Sequence, residues 1–450
     1  MLRMANRKKR VMGGGIAIGG VVLLLLASGF EQILNYTTAA HLGTQIFCAT
    51  TIGLFALLVA TSLSGATRKS LLLVAGLLLL IGLPAVYLLN ASHEWQDGVA
   101  LVPVSYWHLL PATAYPEGTQ GAIWLAVGVI SILGLSVRFS RESRDFVILL
   151  MAVSTAVLSV VALTQRLEPR DIAVYRWTGL FASPNHFAAF AVLIYPAAIT
   201  SAIGFQLRAY REAKLSSPAG VLYVAAGVIA ASVYLSGSRA GIAIVLLQTL
   251  GVSILAVRYL HREGVAGHRW LRVAAYGGLC LALMALVAGG AVVARAGQTE
   301  RLRTDFAFRG MLWSDTLAMW RSRPVWGTGP GSFASVFPYY QSDVLGTHFV
   351  RHAHNDPLQF LAEFGLLGGA IMLAGVGLIL LSAGVQRGGK HDDGLYQVGL
   401  SAGLCGVLMH SLVDFPLQHP LILLSACVWV GLLAGSRVIP CRKHTMQQAV

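Results

Sequence analysis

About twelve apolar stretches, most of them roughly 18–22 residues long, divide this chain and constrain its fold more than any other feature. A helix of that length crosses a hydrocarbon layer of ~30 Å, and inside lipid only a structure that satisfies its own backbone hydrogen bonds is stable. The stretches fall near 13–33, 44–65, 70–90, 120–138, 146–165, 186–206, 218–236, 239–257, 273–294, 357–385, 394–413 and 417–436. With 56% hydrophobic and only 12% charged residues among 450, the chain is not a soluble globular protein. The expected fold is an all-α polytopic integral membrane protein of about twelve transmembrane helices, with membrane lipids as its surroundings.

The charges orient the bundle. Clusters at 7–10, 68–69, 138–144, 208–214, 258–272, 387–390 and 442–443 all fall in alternate connections, and all six lysines lie among them. By the positive-inside rule that side is cytoplasmic, with both termini inside. The same rule explains the net charge of +14 without a nucleic-acid partner. The first apolar run follows Arg7-Lys8-Lys9-Arg10, but no convincing small-residue cleavage site ends it, so a retained helix is expected. Five cysteines show no C-x-x-C spacing, which indicates neither a disulfide framework nor a zinc site. No soluble domain is expected after the last span.

Three segments follow from this layout: spans one to nine over 1–294, a long outer loop over 295–356, and spans ten to twelve over 357–450. The loop breaks the charge rule. It carries Arg295, Arg301, Arg303, Arg309, Arg321, Arg323 and Arg351, more cations than acids. Arginine on the outer side suits bidentate recognition of phosphate, because its fork of donors meets two oxygens at once. Arg170 and Arg176, in the outer segment 166–185, and His186 are candidates for further phosphate contacts.

The loop ends at Arg351-His-Ala-His354-Asn355-Asp356-Pro357, where His354 stands just before a helix start. Asp356 is the expected N-cap, Pro357 the first helical residue, and Gln359 stands at the capping-box position. Gly365 and Gly368, one turn apart, would let a second helix pack closely. Three other stretches face the same side: Ser183-Pro-Asn-His186, the turn Ser236-Gly-Ser-Arg239-Ala-Gly241, and the glycine-rich Pro324-Val-Trp-Gly-Thr-Gly-Pro-Gly-Ser-Phe333. His410 and Asp414, four apart near the end of the eleventh span, are expected to share a helix face. A polar pair there is costly unless it does something, and Asp414 is a candidate to position His354, Arg239 or an acceptor.

The spacing His354-Asn355, nine residues, Gly365-x-x-Gly368 resembles the signature of the O-antigen ligase and polymerase superfamily, in particular the O-antigen ligases of lipopolysaccharide assembly. The SPNH stretch, the SGSRAG turn, Arg309 in FRGMLW and the PVWGTGPGSF loop resemble that family's pattern in the same order, from about Ser183 onward. The resemblance implies a GT-C-like glycosyltransferase architecture in the bacterial inner membrane with a periplasmic active site. It also implies transfer of a glycan from an undecaprenyl diphosphate carrier to the lipid A–core oligosaccharide, inverting and without metal or other cofactor. On the family's pattern His354 is catalytic, with Arg239 and Arg309 in substrate binding and catalysis; Asn355, His186, Arg170, Arg176, Arg351 and Asp414 are candidate substrate contacts.

The residue types fit that chemistry independently. Leaving-group charge on a diphosphate needs fixed cations or a metal, and no outer Asp-x-Asp is present to hold one. A neutral histidine suits removal of the acceptor's proton. Two other acceptors stay open, a second lipid-linked repeat unit or a protein hydroxyl. A lipid-linked sugar transporter would instead predict charges deep in several spans and an internal repeat.

Overall fold

The computed structural model describes residues 18–26, 40–62, 68–96, 100–164, 181, 183–214, 216–262, 299–342, 349–382 and 394–435. Helix α1 runs over 18–26, followed by α2 (Ala40–Ser62), α3 (Arg68–Leu89), α4 (Pro116–Ser136), α5 (Arg141–Thr164), α6 (Pro184–Arg211), α7 (Ala219–Ser236) and α8 (Arg239–Arg262). After these come α9 (Thr299–Ser322), the single turn α10 (Phe333–Val336), α11 (Asp356–Ser382), α12 (Gly394–Ser411) and α13 (Pro420–Gly435). The helices fall on the expected stretches between 44–65 and 239–257 and again between 357–385 and 417–436. Seven of them, α3 to α8 and α11, are long and apolar enough to cross a membrane, and α2 and α13 contain shorter apolar helices. The span expected at 273–294 lies outside the described residues, as do Arg170, Arg176, Arg295 and His348.

Helix α6 is the axis of the bundle. Its residues from His186 to Ile203 are buried without interruption, against α5, α7, α8 and α12. Helix α12 comes close because it presents Gly399, Gly403 and Gly406 toward α6 and α8; a Cβ at 403 would run into the Leu193 carbonyl. Close approach through small residues is how helices associate where lipid offers no hydrophobic drive. Asp145 bonds Arg208 at 2.6 Å while Arg144 covers the Tyr396 ring at 3.7 Å, so the start of α5, the end of α6 and the start of α12 share one end. The opposite end gathers the start of α6, the α7–α8 turn, the start of α11 and the α12–α13 connection.

Three expectations need correction. The stretch 295–356 is not simply a loop, because α9 occupies much of it. Leu312, Thr316 and Met319 recur at helical spacing and are fully buried, so α9 buries one face, where Leu312 and Met319 cluster with Phe333 and Phe337. The segment after α3 holds an antiparallel hairpin, β1 (His93–Gln96) and β2 (Ala100–Pro103), so the fold is not purely helical. Finally, Asn355 and not Asp356 caps α11: its Oδ1 accepts from Leu358 N at 3.0 Å, while the Asp356 carboxylate accepts from Leu417 N at 2.9 Å. Gln359 does reach back, but to Ala353 N.

Helix α11 also breaks. Gly365 has φ 66° and ψ −176°, outside helical geometry, and the freed N–H groups of Leu366 and Leu367 donate to the carbonyls of Pro324 and Val325 at 2.9 and 3.0 Å. The glycine-rich loop therefore completes the kinked helix. Glu363, buried beside the kink, accepts from Gly331 N, Phe333 N and Gln359 Nε2. A Cβ at 365 would collide with the Val325 carbonyl and would sit at a φ that L-residues avoid. Gly365→Ala is expected to destabilise the protein by about 2 kcal/mol or more. A thermal midpoint equal to that of the unmodified protein would show that the kink is not required.

Candidate active site

The site forms where chain segments distant in sequence meet at the α6 N-terminal end. Ser183 caps α6, its hydroxyl accepting from Asn185 N at 3.2 Å, and Pro184 takes the first helical position. That cap fixes Asn185, whose Nδ2 donates to Asp414 Oδ2 at 2.6 Å. Asp414 lies just past the end of α12, with its own N–H bonded to the His410 carbonyl, and is 2% exposed. It does not share a helix face with His410 as the spacing suggested; it turns to His354. His354 Nδ1 lies 3.2 Å from Asp414 Oδ1, off the line of a straight hydrogen bond.

His354 is held in a costly conformation. Its φ is 49°, one of two positive values among the described non-glycine residues, and such backbone strain costs about 1–3 kcal/mol. Its carbonyl accepts from the Trp313 indole N–H at 3.3 Å, and the next residue caps α11 while its Nδ2 donates to the Leu412 carbonyl. Both ends of the Asn355 amide are thus engaged in holding the loop, rather than pointing to a substrate.

Phe415 is the hub that the sequence did not single out. The His352 ring stacks on it at 4.3 Å, and His354 and His186 meet it edge-on at 4.7 and 4.6 Å. Behind it His186 touches His419, which in turn packs on Phe181. His186 is therefore buried support for the site. A cavity of about 480 Å³ opens in front, with Phe308, Phe349, Val350 and Phe415 as its apolar wall. Arg351, His352 and His354 supply its polar wall.

Helix α9 ties the arginines to this histidine. Arg239 begins α8 at the α7–α8 turn, where Gly237 adopts φ 67°, and its Nη1 lies 3.6 Å from Asp305 Oδ2. Asp305, Arg309 and Trp313 are spaced by four and so line one face of α9. The Asp305 end meets Arg239 and the Trp313 end meets His354, which sets Arg309 between them, ~6 Å along the axis from either. The Arg239–Asp305 pair is largely exposed and so contributes little, leaving the guanidinium free to exchange the carboxylate for a phosphate. Arg309 has no ion-pair partner among the described residues.

Electrostatics sort the groups. Burial alone raises the Asp414 carboxyl, but the contact with His354 and the nearby His186 and His410 outweigh it and hold it well below the usual carboxylate range. Burial pushes His352 down to about 4 and His419 down to about 3, so both are neutral near pH 7. Their contribution to stability is complete above the unfolded value of about 6.5. It falls as pH drops, because the unfolded chain then binds protons that the folded protein refuses. The loss is about 1.4 kcal/mol per pH unit for each histidine until its folded value is reached. The thermal midpoint should fall from pH 6.5 to 4, and His352→Gln should flatten the slope; an unchanged slope would show that His352 is not one of the groups responsible.

A multi-span helical membrane protein with a histidine–aspartate pair and two arginines at one end of its bundle is the class that fold and site define. The family model described as O-Antigen ligase matches residues 224–373, a part of the chain similar to that family. The match takes in Arg239, Arg309, Arg351 and His354; Asn185, His186 and Asp414 lie outside it and join the site through packing. No curated protein matches the chain.

Proposed function

We propose that this protein is an inverting glycosyltransferase of the inner membrane that moves an O-antigen glycan from undecaprenyl diphosphate to the lipid A–core at the periplasmic face. The observation that carries the reading is the single face of α9 that sets Arg309 between Arg239 and the Asp414–His354 pair. The donor's diphosphate binds at Arg239 and Arg309, whose charges stabilise the leaving group as the anomeric C–O bond breaks. The acceptor hydroxyl attacks the anomeric carbon from the opposite side, and its proton passes to His354 Nε2 and then to water. Asp414 holds Nδ1 and so keeps Nε2 as the basic nitrogen, in the manner of Asp–His pairs in other enzymes. One displacement completes the reaction, with no covalent intermediate and no metal.

The test is reconstitution of the purified protein with a lipid-linked glycan, with and without lipid A–core, in the presence of EDTA. Glycan on the lipid A–core supports ligation, longer glycan still on the carrier means a polymerase, and loss of activity restored by Mg²⁺ or Mn²⁺ reinstates a metal. Arg309→Ala should weaken donor binding and transfer together, by about 10- to 100-fold in kcat/KM, as expected for a lost charge-assisted contact to phosphate. A variant with unchanged kcat/KM would remove Arg309 from the diphosphate site.

A further inference from the structure

The cavity beside His354 is lined by neither of the arginines that bracket the diphosphate position. Its volume of about 480 Å³ lies within the ~300–1,000 Å³ usual for small-molecule sites. At its rim Phe349 is 67% exposed, two residues from Arg351 in the same lining. The Arg351 guanidinium stands 5.9 Å from the Phe349 ring centre and has no carboxylate partner among the described residues. An apolar ring and an unneutralised arginine side by side, on the wall that also carries His354, match a ligand with both an apolar face and an anion. A saccharide is such a ligand: its axial C–H groups meet the electron-rich face of an aromatic ring, and a phosphate or carboxylate substituent reaches the guanidinium.

We propose that this cavity is the acceptor subsite, that Phe349 is the platform for an acceptor sugar, and that Arg351 selects acceptors bearing an anionic group next to that sugar. The assignment rests on the transfer reading above and divides the site in two. Donor phosphate lies on the Arg239–Arg309 side and acceptor sugar on the Phe349–Arg351 side, with His354 between them. Because Asp414 occupies the Nδ1 edge of His354, the Nε2 edge is left for the acceptor hydroxyl. Phe415, also in the wall of the cavity, stacks on His352 and meets His354 edge-on, and so holds these rings in place.

The experiment measures KM for donor and acceptor separately in the reconstituted full-length protein, with phosphorylated lipid A–core and its enzymatically dephosphorylated counterpart. Phe349→Ala should raise the acceptor KM about five- to tenfold for both acceptors and leave the donor KM unchanged. Arg351→Gln should raise the acceptor KM about tenfold for the phosphorylated form only. A rise in donor KM with an unchanged acceptor KM would give the cavity to the donor and overturn the proposal; so would two unchanged KM values. Calorimetric binding of phosphorylated lipid A–core without donor separates this outcome from failure of the transfer reading. If no transfer occurs, binding weakened by both variants still supports the pocket, and equal binding by all three proteins refutes it.

Discussion

His354→Ala should reduce glycan transfer by about 10³-fold while donor binding stays largely intact, the loss expected when a general base is removed from a site that keeps its cations. The arginines that the proposed reaction assigns to the diphosphate are on α8 and α9, and their backbone placement does not involve the imidazole. The contact through which α9 meets this loop uses the His354 carbonyl, which alanine retains. Strain makes the choice of control important: position 354 has φ 49°, and alanine tolerates that region less well than asparagine. His354→Asn keeps the backbone content while supplying no basic nitrogen, so it should fold at least as well as the alanine variant and be equally inactive. Transfer above about a tenth of the normal rate in either variant would end the general-base assignment, since a base contributes at least ~10².

Asp414→Asn should lower kcat by on the order of 10² to 10⁴ with little change in donor KM. The carboxylate accepts from Asn185 and from its own Phe415 N–H and lies against His354 Nδ1, all within 3.2 Å. Asparagine preserves the shape, so the fold should survive, but its amide can present N–H to His354 and enforce the wrong tautomer. The KM-against-kcat split separates positioning from mere packing, because a misfolded site would lose donor affinity too. Asp414→Ala should be worse in stability, since it removes the carboxylate that accepts from Asn185 Nδ2, at about 1–3 kcal/mol. Normal kcat in the asparagine variant would mean that the loop alone orients His354.

What was legible beforehand divides along a physical line. Residues that act within a few positions were readable: Ser183-Pro184 at the start of a span, the turn Ser236–Gly241 around Arg239, and a helix start immediately after His354. The cap shifted by one residue because Asp356, the better N-cap by type, is drawn to Leu417 N across 61 positions. The helix within 295–356 is obscured in the sequence by its density of charge, although Leu312, Thr316 and Met319 carry a helical spacing. Asn185 stands inside the SPNH stretch and Phe415 directly follows Asp414, both beside residues whose types alone suggest chemistry. Their role has no local signal: an amide or an aromatic ring becomes functional only through what it touches.

The sequence by itself determined the membrane class, the positions of most helices, the basic end of the bundle and the residue types available for phosphate and proton chemistry. Each follows from interactions that close within one turn or from the mismatch between charge and lipid. Tertiary structure alone decided that Asp414 lies against His354, that Asn185 bonds it from 229 positions away, and that the glycine-rich loop completes α11 at Gly365. It also decided that α9 sets Arg309 between Arg239 and His354. Those pairings depend on the depth and rotation at which whole helices pack, and that is settled by the fit of glycine faces and buried side chains across the bundle, not by any single stretch of chain.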